Sequence, residues 1–173
     1  GFRIVLFERI DEATIRSLVR EMNRFKPKML LVFPSTMNMV AHGIDKHDLP
    51  LKHRPELINV SGETFFDCQR QNIQNVFPDA LIEDSYGSVE LGEIAHEREG
   101  VLEGFGDIAH VENKPNQAGM PELIITRLDL DTFPFIRYQM KDIARVRPRE
   151  EGFSLEDIEG KDHNFILSGT SER

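Results

Sequence analysis

Cysteine, basic residues and long apolar runs are scarce in this 173-residue sequence, and each shortage excludes a class of protein. A single cysteine cannot form an intrachain disulfide or a cysteine-rich zinc site. The 21 basic residues are outnumbered by 30 acidic ones, which argues against a nucleic-acid binder. No apolar run approaches the length of a membrane span and no signal peptide is evident, so we expect a cytoplasmic protein.

The residues that are present suffice for a folded core. Hydrophobic residues make up 39% of the chain, and its length suits one domain or one domain with a small appendage. The chain begins with Gly1 rather than methionine, so we expect a piece of a longer protein.

Acidic residues are concentrated in residues 79–112. This segment holds ten acidic residues and one basic residue, Arg98, and therefore accounts for the whole formal charge of −9. A solvated face is one interpretation of such a segment. A site that needs a divalent cation before a polyanion can enter is the other.

The first half of the chain alternates between strand-like and helix-like patterns. Apolar and β-branched runs predict strands at 3–7, 29–33, 57–60 and 80–83. Spacings of three and four predict helices that open at Asp11, at Pro34 and after Thr64, with the second ending at Gly43. Strands alternating with helices predict an α/β fold with a parallel sheet flanked by helices.

The helical spacing is lost from Ile94 onward. Alternating runs separated by glycine and proline predict a smaller β-rich subdomain, antiparallel or barrel-like. We therefore expect an α/β subdomain at 1–105 and the β-rich subdomain at 106–158.

Two segments follow predicted strands of the parallel sheet, where ligands bind in open α/β folds. They are SGE at 61–63 and DSYGSVE at 84–90. Their glycines allow close backbone approach, Tyr86 offers a flat face for stacking, and Ser88 and Glu90 offer oxygen ligands. Each segment alone is weak evidence for a site, because such turns occur in many structures, so both interpretations stay open.

Together with two later segments, these two resemble motifs of the adenylate-forming enzyme superfamily, nearest to its phenylacetate–CoA ligase and capsule-biosynthesis branch. SGE is similar to the family's Gly-Gly-Glu turn, and DSYGSVE to Asp-x-Tyr-Gly-x-Thr/Ser-Glu. TRL at 126–128 with PFIRYQMKD at 134–142 is similar to Thr-x-Leu and Pro-Leu-Ile-Arg-Tyr-x-x-Gly-Asp. IEGKD at 158–162 is similar to the hinge motif Ile-x-Gly-Arg-x-Asp. The resemblance therefore implies a hinge with the start of a truncated C-terminal domain at 159–173.

The resemblance implies part of an ATP-dependent carboxylate-activating ligase. Such enzymes form an acyl-adenylate from a carboxylate and ATP–Mg²⁺, release pyrophosphate, and usually transfer the acyl group to coenzyme A. The implied partner is a small carboxylic acid, with no nucleic acid and no membrane. A homodimer or a partner that supplies missing domains stays open.

The resemblance also implies roles for individual residues. The adenine site would comprise Ser61, Gly62 and Glu63 at its border, Tyr86 stacked on the base, Asp84 near the amino edge, and the neighbouring Ser85 and Gly87. Towards the phosphates, Ser88 would approach the α-phosphate and Glu90 would hold Mg²⁺, which supplies the charge neutralisation that attack on phosphorus needs. Asp142 would accept hydrogen bonds from the ribose hydroxyls, and Lys161 would reach the ribose or a phosphate.

Several positions depart from the family pattern. Lys141 stands in place of a glycine, Ser61 in place of another, and Lys161 in place of an arginine, whose planar fork is lost. Some relatives carry a cysteine-rich zinc insertion, but the corresponding region here has His96, Glu97, His110 and Glu112 without cysteine. We interpret the two histidines as ordinary sheet residues rather than zinc ligands.

The family's phosphate loop and catalytic lysine have no counterpart in the sequence. We interpret LSGTS at 167–171 as a strand and turn, and we expect the isolated chain to bind AMP weakly without catalysing adenylation. Cys68 is predicted to be a buried small hydrophobe. Residues that could line an acyl pocket are Phe65, Ile82, Val89 and Ile94. The alternatives are a non-catalytic scaffold module of the same fold and an unrelated α/β nucleotide binder.

Overall fold

Helices and strands are described for residues 1, 3–129 and 133–161 in a computed structural model. The chain divides into two compact units, Gly1–Ser85 and Tyr86–Arg173. Predicted features in the remaining residues, Asp162 of the hinge motif and the 167–171 segment, lie outside the described part. No helix in the described part is long and apolar enough to cross a membrane.

The first unit alternates helices with parallel strands. In chain order it contains α1 (Glu12–Phe25), β1 (Met29–Val32), α2 (Pro34–Lys46), β2 (Leu57–Ser61) and α3 (Asp67–Val76), and it ends within β3 (Leu81–Ser88). β1 pairs with β2 and β2 with β3, both in parallel. The core lies where buried residues of α1 and α2 meet alternate residues of the strands, such as Ile58 and Val60 of β2, both 0% exposed.

The helices of this unit begin where local chemistry favours them. Asp11 is the N-cap of α1, and its carboxylate accepts a hydrogen bond from the Thr14 N–H at 2.9 Å. The contact lowers the pKa of the Asp11 carboxyl. Pro34 occupies the first turn of α2, where its missing N–H costs nothing.

Three local predictions for this unit are wrong. The run at 3–7 forms no strand, and its Ile4 and Leu6 are 69% and 89% exposed, because strand propensity alone supplies no partner. Gly43 does not end α2 but lies inside it, where a Cβ would collide with the Ile15 side chain of α1. Cys68 is exposed, because the first turn of α3 presents it to solvent while Ile73 fills the core.

The second unit is antiparallel. Its strands are β4 (Gly92–Arg98), β5 (Val101–Phe105), β6 (Ala109–Pro115), β7 (Pro121–Arg127), β8 (Tyr138–Arg149) and β9 (Gly152–Lys161). They follow the order β4-β5-β9-β8-β7-β6, and their core contains Leu91, Leu123 and Ile125. The predicted fold class, a helix-flanked parallel sheet followed by a β-rich part, is confirmed. The subdomain limits expected at 105 and 158 stay a prediction.

Candidate functional site

The turn after β2 has a conformation that requires glycine. Gly62 has φ of +86°, and a Cβ at this position would approach Cε1 of Phe33 to 2.8 Å. The next residue, Glu63, accepts a hydrogen bond through Oε2 from the Ser35 N–H at 3.0 Å, in the first turn of α2. A carboxylate at a helix N-terminus is electrostatically favourable, so Glu63 stabilises the start of α2.

The second motif is a strand for most of its length, whereas the sequence predicts a strand that ends at 83. β3 continues through Ser88, and its backbone pairing with β2 extends as far as the Ser61–Ser85 register pair. That pairing brings Ser61, the first residue of the first motif, beside Ser85 of the second. Ser85 is buried and donates a hydrogen bond to Oδ1 of Asn59 at 3.1 Å, while Asp84 is partly buried.

A hydrogen bond between Tyr86 and Asp142 links two motifs of the second unit. The Tyr86 hydroxyl donates a hydrogen bond to Oδ2 of Asp142 at 2.6 Å, although the two residues are 56 positions apart. Asp142 is only 7% exposed. Burial, reinforced by the adjacent Asp142 carboxylate, raises the pKa of the Tyr86 hydroxyl far above its ordinary value. The tyrosine is therefore neutral and available as a donor at physiological pH.

The turn after β3 carries Glu90. The Ser88 hydroxyl accepts a hydrogen bond from the Leu91 N–H at 3.2 Å, and Gly87 is needed because a Cβ there would collide with the Gly92 carbonyl oxygen. Glu90 is exposed, and its Oε1 accepts a hydrogen bond from the Tyr138 hydroxyl at 3.3 Å. The negative charge of Glu90 raises the pKa of that hydroxyl.

Hydrogen bonds join the two parts of the third motif. The Arg127 N–H donates to the Phe135 carbonyl at 2.9 Å, and the Arg137 N–H donates to the Thr126 hydroxyl at 3.0 Å. Nη1 of Arg137 also lies 2.6 and 2.7 Å from the two oxygens of Glu112. These contacts hold the segment that leads into β8, and therefore Tyr138 and Asp142, against β6 and β7.

The two lysine substitutions flank Asp142 in different ways. Lys141 directly precedes it and has φ of +64°, so the backbone keeps a left-handed conformation that suits the family's glycine. Lys161 lies on β9 as the register partner of Asp142 on β8. This pairing places the backbone of the hinge motif beside Asp142, the residue proposed to bind the ribose.

The described residues contain no group of three or more histidine, cysteine or acidic residues that could hold a metal ion. His96 lies on β4, with Nδ1 3.4 Å from Oε1 of Glu93 and its ring 5.3 Å from that of Phe105. Mg²⁺ usually keeps several waters and takes one or two carboxylates together with substrate phosphates. The exposed carboxylate of Glu90 fits that donor set.

Two residues with direct contacts to the predicted site were not assigned a role from the sequence. Asn59 lies within an apolar strand, and only its pairing with Ser85 distinguishes it from the core residues around it. Tyr138 belongs to the third motif and stands four residues before Asp142, but its contact with Glu90 depends on folding.

Comparison with known proteins gives low sequence identity and high structural similarity. Protein CapK of Staphylococcus aureus is 24% identical over 165 residues, which cover 91% of this chain and 36% of CapK. A structure of 2-hydroxyisobutyryl-CoA ligase in the postadenylation state, in complex with R3-HIB-AMP, superposes with a TM-score of 0.72. It is 17% identical and covers 90% of this chain and 37% of that one. No protein-family model matches the chain.

The chain has the fold of the adenylate-forming enzymes. A long-chain-fatty-acid-CoA ligase from Archaeoglobus fulgidus shares it with a TM-score of 0.59 and 10% identity, over 83% of this chain and 36% of that one. The resemblance predicted from the four motifs is thereby confirmed, and the similarity to CapK supports it. The chain spans little more than a third of the length of CapK and of these two ligases.

Proposed function

We propose that this chain is the adenosine-binding part of an ATP-dependent carboxylate-activating ligase. In the reaction, a carboxylate oxygen of the acid substrate bonds to the α-phosphorus of ATP as the bond to the pyrophosphate oxygen breaks. The acyl group of the resulting acyl-adenylate then passes to a thiol, for which we propose coenzyme A. Structures of 2-hydroxyisobutyryl-CoA ligase in complex with an acyl-AMP, one of them also with CoA, have a similar fold and support this assignment.

The hydrogen bond between Tyr86 and Asp142 is the observation that carries the proposal. In this proposal the Asp142 carboxylate uses one oxygen to fix the Tyr86 hydroxyl and offers its second oxygen to a ribose hydroxyl. The aromatic ring of Tyr86, held by its hydroxyl, supplies the stacking face for adenine. A carboxylate and a ring 56 positions apart in sequence thus serve the same nucleoside.

The turn that carries Ser88 and Glu90 would serve the phosphate side. Mg²⁺ bound at Glu90 would neutralise the charge of the phosphates beside a segment that carries ten acidic residues, Glu90 among them. The chain's own contribution is to hold the Glu90 carboxylate at the exposed tip of the turn. Gly62 and Glu63, Asp84 and Ser85, and Lys161 remain proposed nucleotide contacts.

Binding of AMP tests the proposal on the wild type and on Asp142→Ala. We expect AMP at millimolar concentration to raise the melting temperature of the wild type, and Asp142→Ala to weaken binding about tenfold or more by removing a charged acceptor. Asp107→Ala is the matched control, because it removes an exposed carboxylate of the same unit. Binding should be measured by thermal shift and by calorimetry, with and without Mg²⁺.

Two outcomes would contradict parts of this assignment. If AMP leaves the wild-type melting temperature unmoved, the chain is better described as a non-catalytic module of the same fold. We also propose that the isolated 173-residue chain is inactive, since it spans little more than a third of the length of CapK and of 2-hydroxyisobutyryl-CoA ligase. Release of pyrophosphate from ATP and a carboxylic acid by the purified chain would contradict that.

A further inference from the structure

Two tyrosine–carboxylate pairs connect the second and third motifs in opposite directions. Tyr86 of the second motif donates to Asp142 of the third, and Tyr138 of the third donates to Glu90 of the second. The chain contains only these two tyrosines. Each one therefore bonds to an acidic residue that the other motif contributes to the proposed nucleotide site.

We propose that Tyr138 is a positioning residue that holds the Glu90 carboxylate for Mg²⁺ on the nucleotide. The inference rests on the proposed function and adds to it a residue that acts through Glu90 without touching the nucleotide. The Tyr138 hydroxyl donates to Oε1 of Glu90 and so constrains the carboxylate that would meet the cation. Hydrogen bonds to a metal-binding carboxylate orient it in this way in many metal sites.

Tyr138 is held firmly enough to orient a neighbour. It opens β8, where it is the register partner of Ile125 on β7. Its ring packs edge-on against that of Phe135, with centroids 5.3 Å apart and planes at 78°, and Phe135 packs similarly against Phe133. The hydroxyl therefore projects from a ring fixed on one side by the sheet and on another by aromatic contacts.

Glu90 lies in a more exposed environment than Asp142. Asp142 is buried within β8, whereas Glu90 is exposed and lies in a turn beside Val89, which is fully exposed. A long acidic side chain in solvent samples several rotamers, and selecting one costs conformational entropy when a ligand binds. The Tyr138 hydrogen bond to Glu90 is 3.3 Å long, compared with 2.6 Å for the bond of Tyr86. It restricts the rotamers of Glu90 before Mg²⁺ binds.

The affinity of the full chain for ATP, measured by calorimetry in excess Mg²⁺ and in EDTA, tests the proposal. The ratio of the two affinities is the Mg²⁺ enhancement. We expect Tyr138→Phe, which keeps the ring and removes the hydroxyl, to lower this enhancement about three- to tenfold. In a Glu90→Gln background, which removes the carboxylate that the hydroxyl orients, Tyr138→Phe should have no further effect.

Tyr86→Phe is the matched control, since it removes the other tyrosine hydroxyl of the chain. It should weaken ATP binding by similar factors in Mg²⁺ and in EDTA and leave the enhancement unchanged. An unchanged enhancement in Tyr138→Phe, with or without a lower melting temperature, would mean that the hydroxyl is only structural and would overturn the inference. Absence of ATP binding to the wild type in both conditions would overturn the proposed function, and this inference with it.

Discussion

The two units hold their motif residues by different kinds of contact. In the Gly1–Ser85 unit, the first motif is shaped by backbone conformation, with Gly62 in a left-handed turn and Glu63 bonded to a helix N–H. In the Tyr86–Arg173 unit, side chains distant in sequence bond to each other, as Tyr86 does to Asp142. Backbone conformation and a bond to a helix N–H thus position one set, and pairs of side chains distant in sequence position the other.

Truncation of a core residue in the first unit should give the largest effect on stability. Ile58 on β2 is 0% exposed, so Ile58→Ala should lower the free energy of unfolding by about 2–5 kcal/mol through lost burial and a cavity. Ile58→Val, as the control, should cost about 0.5–1.5 kcal/mol. Urea unfolding measures both. AMP affinity, measured at urea concentrations well below the unfolding transition, should change little. A loss of affinity as large as that expected for Asp142→Ala would contradict the difference drawn between the two units.

Removal of one hydroxyl in the second unit should act on both stability and binding. Tyr86→Phe leaves the buried Asp142 carboxylate without its donor, so we expect a loss of about 1.5–3 kcal/mol of unfolding free energy. AMP affinity should fall as well, since the carboxylate is no longer oriented. Unchanged affinity in this variant would show that the pair is merely structural.

The same tyrosine should make stability depend on alkaline pH. Its pKa in the folded chain is raised above the unfolded value of about 10, so its contribution is complete below that pH and is lost progressively as the pH rises further. The wild type should therefore lose stability above about pH 10 more steeply than Tyr86→Phe, by up to about 1.4 kcal/mol per pH unit. Absorbance of tyrosinate at 295 nm should show Tyr86 ionising only on unfolding.

The smallest expected effect is a gain at Lys141. Its φ of +64° is unfavourable for a residue with a Cβ, so Lys141→Gly should stabilise the chain by about 0.5–1 kcal/mol. Lys141→Ala keeps the Cβ and removes only the long side chain, so it should give no such gain. Equal melting temperatures for the two variants would show that the backbone at this position is not strained.

Local patterns predicted much of the fold correctly. The apolar spacing after Asp11 and the run at 57–60 correspond to α1 and β2, because both depend on residues close together in the chain. Predictions failed where a distant neighbour decides the outcome. Gly43 lies inside α2, where the Ile15 side chain of α1 leaves no room for a Cβ, and residues 84–85 belong to a strand because β2 lies beside them.

The candidate site shows the same division. The sequence alone predicted which residues form the motifs, in which order they occur and what chemical groups they carry, because each motif is a short local pattern. Which residues meet depended on the register of strands: Tyr86 reaches Asp142 across 56 positions, and Glu90 reaches Tyr138 across 48. The folded structure also explains why residue 87 is a glycine, because the Gly92 carbonyl oxygen occupies the space that a Cβ would need. Contacts across such separations arise only when the sheet forms, since no local pattern specifies which strands become neighbours.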